Sequence, residues 1–329
     1  MTELARVSSP MEWRPSADLS VIRARAQMLA ACRDFFAVRD VLEVETPILS
    51  RAGATDPNIQ SLRLADDSGP ARFLNTSPEF AMKRLIAAGA GDIFQIARAF
   101  REGERGRLHN PEFSLLEWYR GGFAIVDLMK EVAALLGVLL KRPEVAEQAV
   151  FLSYGALFEE HLNLNPHAAD VKALLRCLDD SQVAIPQGEN DKDVLLDLIM
   201  SSVLLPALDA ERLCFIYDYP ISQAALAKAH PQNPRLARRF EAIMGGMELA
   251  NGFEELDDPL EQRARFESDR RRRAETGAPQ MPIDEFLLAA LAQGLGECSG
   301  VAVGLDRVLM LAINASHIDE VLSFPVTRC

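Results

Sequence analysis

The sequence predicts an α+β fold in which an antiparallel β-sheet is flanked by helices. Strand-like segments come in pairs joined by polar connections. Residues 92–100 and 112–120 form one predicted hairpin, and residues 239–253 form a tighter one around the two-residue turn Gly245-Gly246. Hairpins of this kind favour an α+β fold over a doubly wound parallel sheet. Hydrophobic residues make up 49% of the 329 positions, which is enough for a sizeable core.

The first predicted unit is a helix followed by a short strand and a proline. Residues 19–38 repeat apolar side chains at helical spacing, from Ile22 to Phe36. From Leu42 onward the period changes to two, and Pro47 ends the strand.

Helical patterns alternate with strands through the rest of the chain. Residues 127–141, parts of 170–208 and residues 284–293 are predicted helices. Residues 300–303 form a short predicted strand, Gly304 makes a turn, and residues 305–314 form the last predicted helix.

Composition limits the classes of function. The 35 basic and 48 acidic residues give a net charge of −13, which argues against a broad basic surface for nucleic acid, although a local basic patch is compatible with it. Five widely spaced cysteines predict reduced thiols, not disulfides or a zinc site. The absence of a signal-like segment and of a long apolar run predicts a soluble cytoplasmic protein without a membrane anchor.

One basic run is predicted to be a solvated helix face. Arg270–Arg273 follows Glu267 in a helical pattern, and charged runs are usually exposed. The alternative for this run is contact with an acidic partner or a nucleic acid.

Residues 100–113 carry the side chains that a nucleotide requires. Arg101 leaves the first strand of the long hairpin and can hold a phosphate or a carboxylate through two hydrogen bonds. His109 can reach a phosphate across the loop, and Phe113 offers a flat face to a purine. The alternative is an ordinary hairpin with a charged, solvated loop. On the next strand, Phe113, Leu115, Glu117 and Tyr119 share one face by alternation.

Two carboxylates converge on the second hairpin. If residue 244 faces 247 and residue 243 faces 248, Glu241 lies diagonal to Glu248 on the same face, at about 7–8 Å. Such a pair suits a magnesium ion that also touches phosphates. Asn251-Gly252 beside them indicates a close approach of a ligand to the backbone. The alternative is a solvated strand face with two acids.

A glycine-bounded strand feeds the last predicted helix. Gly300 and Gly304 allow a close approach, and Arg307 falls in the first turn of the helix, whose N-terminus favours anions. Taken alone, this pattern is also typical of ordinary strand–helix connections.

Together these segments resemble motifs 1, 2 and 3 of class II aminoacyl-tRNA synthetases. Motif 1 corresponds to residues 19–47, motif 2 to residues 100–113 and motif 3 to residues 300–311. The string from Glu248 to Leu256, ELANGFEEL, is similar to the lysine-recognising strand of lysyl-tRNA synthetases. So is Thr76-Ser77-Pro78-Glu79, which precedes motif 2.

The resemblance implies ATP and Mg²⁺ as cofactors and a role for each matched residue. It implies that Arg101 and Arg307 are catalytic, and that Glu255 and Glu79 receive the two ammonium groups of a lysine-like substrate. The remaining assignments follow as lists. Substrate-binding residues would be Ser77, Pro78, Glu79, Tyr119, Glu255 and Ala302. ATP-binding residues would be Arg101, Glu102, Gly103, His109, Asn110, Phe113, Glu248, Leu249, Gly304 and Arg307. Metal-binding residues would be Glu241 and Glu248.

One position departs from the family pattern. Gly103 stands where motif 2 usually has a glutamate, so the base contact would come from the backbone or from Glu104.

The chain further resembles the branch of stand-alone paralogues that modify elongation factor P. The helix of motif 1 begins near residue 19, which leaves too little preceding sequence for an OB-fold anticodon reader, so we expect one catalytic domain over residues 1–329. The resemblance implies (R)-β-lysine as substrate, elongation factor P as partner, tRNA as an unlikely partner, and a homodimer. Ala302, where lysyl-tRNA synthetases tend to have glycine, fits a displaced amino group. The alternatives are a minimal synthetase that acylates an RNA and an inactive amino-acid sensor.

Overall fold

The computed structural model describes residues 13–65 and 69–329. The strands are β1 (Leu42–Glu43), β2 (Leu49–Ser50), β3 (Arg63–Leu64), β4 (Arg72–Leu74), β5 (Ile93–Phe100), β6 (Glu112–Gly121), β7 (Val150–Ser153), β8 (Cys214–Pro220), β9 (Ala229–His230), β10 (Asn233–Met244), β11 (Met247–Glu254) and β12 (Cys298–Gly304). The helices are α1 (Leu19–Ala37), α2 (Glu79–Ala87), α3 (Ile125–Leu139), α4 (Glu144–Glu147), α5 (Tyr154–Leu162), α6 (Val171–Asp180), α7 (Lys192–Ile199), α8 (Leu205–Ala207), α9 (Pro259–Glu275), α10 (Glu285–Leu291) and α11 (Leu305–Ile313).

The main sheet has the strand order β1-β5-β6-β12-β11-β10-β8-β7, with β9 paired to β10. Its central pairs are antiparallel, and only the outer pairs β1/β5 and β7/β8 are parallel. A small second sheet has the order β2-β4-β3. The predicted α+β class with an antiparallel sheet is therefore confirmed.

Helix α1 covers one face of the sheet, as its periodicity predicts. Its Phe36 ring stacks on Phe94 of β5 at 4.5 Å and tilts against Trp118 of β6 at 5.2 Å. Helix α3 adds a second buried row on the same side. The predicted strand after α1 is shorter than its pattern, because only Leu42–Glu43 pairs as strand β1, and beyond it the Val44 amide still donates to Phe94 O.

The second hairpin has the predicted turn and an unpredicted bulge. Gly245 and Gly246 have φ of 62° and 68°, a conformation that favours glycine. Met244 faces Met247 and Ile243 faces Glu248, as the sequence predicts. Beyond that pair the register shifts, so that Ala242 faces Ala250 and Glu241 faces Asn251. The additional residue is Leu249, and such a bulge turns the strand locally.

Asp306 joins three distant parts of the chain beneath the sheet. It is buried in the first turn of α11, where it accepts hydrogen bonds from the Arg25 guanidinium of α1 and from the Ser114 amide of β6. Close by, the Ser16 amide donates to Ser323 O at 2.8 Å. Helix α11 and the segment after it are thereby fixed against the beginning of α1.

The predicted solvated face at Arg270–Arg273 is wrong at one position. Arg273 is fully buried, and its guanidinium donates to the Gln60 side chain and to five backbone carbonyls, four of them in residues 54–59. Arg270 and Arg271 are exposed, as predicted. A buried cation whose donors are all satisfied is stable, and a sequence run alone does not reveal the carbonyls that satisfy it.

Two further expectations concern cysteines and membranes. All five cysteines are free thiols. Within residues 13–65 and 69–329, no helix is both long enough and apolar enough to cross a bilayer.

Candidate active site

A deep cavity of about 1130 Å³ opens over the face of β6, β12 and β11 that lies opposite α1 and α3. The loop of residues 50–59 and the segment leading into α2 complete its wall. Of the predicted site residues, Glu102 and Gly103 lie outside this wall, in the exposed turn after β5. All the others contribute to it.

Strand alternation orders the floor of the cavity. Residues 113, 115, 117 and 119 of β6 all line it, as predicted from their period of two. Across the sheet, Glu117 lies beside Ala302, which in turn lies beside Asn251. Glu117 lies four residues after Phe113 on β6, so the floor of the cavity extends about 13 Å from one to the other.

Arg101 lies over Phe113 at the nucleotide end of the cavity. Its guanidinium carbon is 5.0 Å from the Phe113 ring centroid, and its Nη1 is 3.5 Å from Glu104 Oε1. Its buried Nε has no hydrogen-bond partner among the described residues. A guanidinium with an unused donor in a cavity wall suits a phosphate or carboxylate oxygen. Glu104 also lines the cavity, whereas Gly103 does not, which favours Glu104 as the replacement for the usual motif 2 glutamate.

Arg307 lies at the start of α11 against the motif 2 loop. Its Nη1 donates to Glu248 O at 2.7 Å, and its Nη2 lies 2.7 Å from His109 Nε2. Burial lowers the pKa of His109, and the charge of Arg307 lowers it further, so the imidazole is neutral and can accept this hydrogen bond. Because Nε2 accepts this hydrogen bond, the proton of the neutral ring is on Nδ1, and Arg307 supplies the positive charge of the pair for a phosphate chain.

Asn110 is buried, and its side-chain amide forms hydrogen bonds within the protein. Its Nδ2 donates to Glu112 O at 2.7 Å, and its Oδ1 accepts from the Val326 amide at 3.0 Å. Asn110 thus anchors the start of β6 to the C-terminal segment in addition to lining the cavity. Its assignment to ATP stays a prediction.

Glu241 and Glu248 lie close enough to influence one another. Burial raises the pKa of Glu241 to about 7, and the charge of Glu248 is the next cause. Arg239 donates to Glu241 and to Gln223 O, and its guanidinium lies 4.5 Å from the centroid of the Tyr219 ring. A carboxylate pair with mutual repulsion is a fitting cation site, because a divalent ion removes the repulsion. Among the described residues no cluster of three or more metal-type ligands is present, so phosphate oxygens would have to complete the coordination.

The other end of the cavity is strongly acidic. Glu117 is 2% exposed, and it accepts hydrogen bonds from Ser77 Oγ at 2.6 Å and from the Tyr119 hydroxyl at 2.8 Å. Burial raises the pKa of Glu117 to about 8, with the charge of Glu79 as the next cause. Three carboxylates, those of Glu79, Glu117 and Glu255, line this end.

Glu79 and Glu255 are bridged from behind by a lysine. Lys83 Nζ is 2.6 Å from Glu79 Oε1 and 2.5 Å from Glu255 Oε2. Burial raises the pKa of Glu255 to about 7, and the adjacent Lys83 charge opposes this. Gly300 provides the room, because a Cβ built on it would collide with the Glu255 carboxylate and the Tyr119 ring.

Comparison with known proteins agrees with this geometry. The family model described as tRNA synthetases class II (D, K and N) matches residues 8–328. The chain belongs to the class II tRNA synthetases.

Several relatives within the class II synthetases are similar over their whole length. A Vibrio cholerae protein named elongation factor P–(R)-beta-lysine ligase is 46% identical over 325 residues, covering 96% of this chain and 98% of the relative. Proteins of the same name from Klebsiella pneumoniae and Yersinia pestis are each 46% identical, covering 98% and 97% of this chain and 100% and 99% of the relatives.

The structure adds residues in the cavity wall or directly behind it that carry no assigned role in the sequence reasoning for this class II synthetase. Glu117 could have been found, since it shares a face with Phe113 and Tyr119 by alternation. Lys83 is four residues after Glu79, a spacing that predicts a helical ion pair but not its burial. The sequence did not indicate that Arg239 lines the cavity, because an arginine near a glutamate on a strand is usually exposed to solvent.

Proposed function

We propose that the chain activates (R)-β-lysine with ATP and transfers it to the ε-amine of a lysine on elongation factor P. The observation that carries the proposal is an acidic end, formed by Glu79, Glu117 and Glu255, in the same cavity as Arg101 and Arg307. A substrate with two ammonium groups and one carboxylate matches this distribution of charge. The names of the full-length relatives support the same substrate and acceptor.

In the first step a carboxylate oxygen of the substrate attacks the α-phosphorus of ATP and the bond from that phosphorus to the bridging oxygen of the β-phosphate breaks. An acyl-adenylate, which is a carboxylic–phosphoric mixed anhydride, forms and pyrophosphate leaves. Arg101 would neutralise charge on the α-phosphate, and Arg307 with neutral His109 would hold the remaining nucleotide. The acidic end would fix the two ammonium groups, so that positioning supplies much of the rate. No side-chain nucleophile is needed.

In the second step the acceptor ε-amine attacks the activated carbonyl carbon, an amide bond forms, and AMP leaves with the bonding electron pair. The amine loses a proton in this step.

We also propose that Glu241 and Glu248 hold a Mg²⁺ ion together with phosphate oxygens. When bound, such an ion would offset the charge of the phosphates. The mutual repulsion of the two carboxylates supports this assignment.

We propose that the described residues form one catalytic domain, and that the chain forms a homodimer through motif 1. Large apolar side chains stand exposed along this region, namely Val38 (80% exposed), Leu42, Ile48 and Leu49. Clustered exposed apolar residues are typical of subunit interfaces. Sedimentation of the purified chain would test this, and a monomer at micromolar concentration would contradict it.

The decisive experiment is ATP–pyrophosphate exchange with the purified chain, comparing lysine with (R)-β-lysine, followed by transfer of the labelled residue to elongation factor P or to total tRNA. We expect exchange that favours (R)-β-lysine, and label on the protein. Label on tRNA would instead support a minimal synthetase. Absence of exchange with both amino acids would leave the amino-acid sensor, a reading that the presence of Arg101, Glu241, Glu248 and Arg307 disfavours.

A further inference from the structure

Lys83 lies directly behind the acidic end of the cavity. Its side chain is 1% exposed and does not itself form part of the cavity wall. Its ammonium contacts Glu79 on the same helix and Glu255 just after β11. Although burial lowers the pKa of Lys83, the charges of Glu255 and Glu79 outweigh that effect and raise it, so Lys83 is a permanent cation.

The acidic end has two uncompensated negative charges when its charged groups are all ionised, a state that a bound cationic substrate favours. Glu79, Glu117 and Glu255 then contribute three carboxylates, and Lys83 contributes one ammonium. Tyr119 is neutral, because burial and the neighbouring glutamates hold its pKa well above the usual value. Lys228 also acts on Glu255, but its own charge is paired with Asp257 at 3.2 Å.

We propose that Lys83 sets the charge of this cavity, so that it matches a substrate with two ammonium groups, and holds Glu255 and Glu79 in place as acceptors. Lys83 is a positioning residue, since it acts through the two glutamates and not on the substrate. This inference rests on the proposed function, because it presumes a cationic diamino substrate.

The charges predict what removal of Lys83 does. Lys83→Met removes the cation that lowers the pKa of Glu255, so Glu255 takes up a proton near neutral pH in addition to Glu117, whose pKa is already about 8. A protonated Glu255 is a poor acceptor for an ammonium group. The KM for the diamino acid should rise at least tenfold at pH 7.5 and recover toward higher pH, while kcat changes less than threefold.

A charge-conserving variant separates charge from packing. Lys83→Arg keeps a cation between Glu79 and Glu255, so it should keep the unaltered pH profile of KM even if its KM rises. If Lys83 were only a packing element, the larger arginine would impair the chain at least as much as Lys83→Met does, and neither variant would shift the pH profile.

The assay is ATP–pyrophosphate exchange with lysine and (R)-β-lysine from pH 6 to 9, with thermal unfolding as a check on folding. An unaltered KM in Lys83→Met, or a raised KM with an unshifted pH profile, overturns the proposal for Lys83 alone. If Lys83→Met does not fold, Lys83→Gln takes its place, with the same expected shift and the same overturning results. Absence of exchange by the unaltered chain with either amino acid overturns the proposed function, and the role of Lys83 falls with it.

Discussion

Replacing Gly300 with alanine should close the acidic end of the cavity. A Cβ at this position would overlap the Glu255 carboxylate and two carbons of the Tyr119 ring. Glu255 and Tyr119 are 1% and 2% exposed, so neither can move outward to make room. Relief of the overlap requires a displacement of about 1 Å, and a misplacement of that size at a binding centre costs roughly 100-fold in kcat/KM, or ~2.7 kcal/mol.

ATP–pyrophosphate exchange at varied diamino acid and saturating ATP measures this loss. Gly121→Ala is the matched control, because Gly121 belongs to the adjacent strand β6 and its added Cβ would meet only Asp92 Oδ1 at 3.6 Å, an ordinary contact. We expect Gly121→Ala to retain activity within about threefold, a change below 1 kcal/mol. A kcat/KM for Gly300→Ala that also stays within that range would refute the assignment of this end of the cavity to the substrate.

Three further predictions concern the buried charged groups and the methyl group of Ala302. Burial raises the pKa of Glu117 to about 8 and that of Glu255 to about 7 in the ligand-free chain, whereas a cationic substrate binds best when both are ionised. KM should therefore rise as pH falls from 8.5 to 6.5, by up to about tenfold per pH unit for each group. Exchange kinetics at each pH check this, and a flat profile would contradict it. Arg273→Met should lower the free energy of unfolding by about 3 kcal/mol, because it leaves several buried carbonyls without a hydrogen-bond donor. Arg271 is exposed, so Arg271→Met should change the free energy of unfolding by less than about 0.5 kcal/mol. Denaturant unfolding of both variants measures the difference. Ala302→Gly removes a methyl group next to Glu117 and should raise the ratio of kcat/KM for lysine to kcat/KM for (R)-β-lysine by about 3- to 10-fold. An unchanged ratio would show that this methyl group does not position the amino group of the substrate.

Features set by neighbouring residues were predictable from the sequence. The Gly245-Gly246 turn fixes the pairs nearest to it, and strand alternation places Glu117 on the same face as Phe113. The bulge at Leu249 was not predictable, because no turn chemistry or periodicity marks an extra residue within a strand. The two carboxylates predicted for magnesium reach the same cavity even so.

Features set by distant residues were not predictable. Arg273 lies in a basic run that favours exposure, and four of its five carbonyl partners belong to residues more than 200 positions earlier in the chain. Lys83 pairs with Glu79 at helical spacing, but its second partner, Glu255, comes from another element. The sequence identified Glu79 and Glu255, which line the acidic end of the cavity, and gave no sign that Lys83 is buried behind them.

The junction at Asp306 has a consequence for the order in which the molecule is completed. Arg25 and the Ser114 amide meet Asp306 across 281 and 192 positions of the chain. The ribosome synthesises α1 and β6 long before α11, so the hydrogen bonds of both to Asp306 form only after α11 has been made. Contacts of such long range form late and slowly. Arg307 arrives with the same turn of helix, so the nucleotide end of the cavity is completed only after α11 has been made.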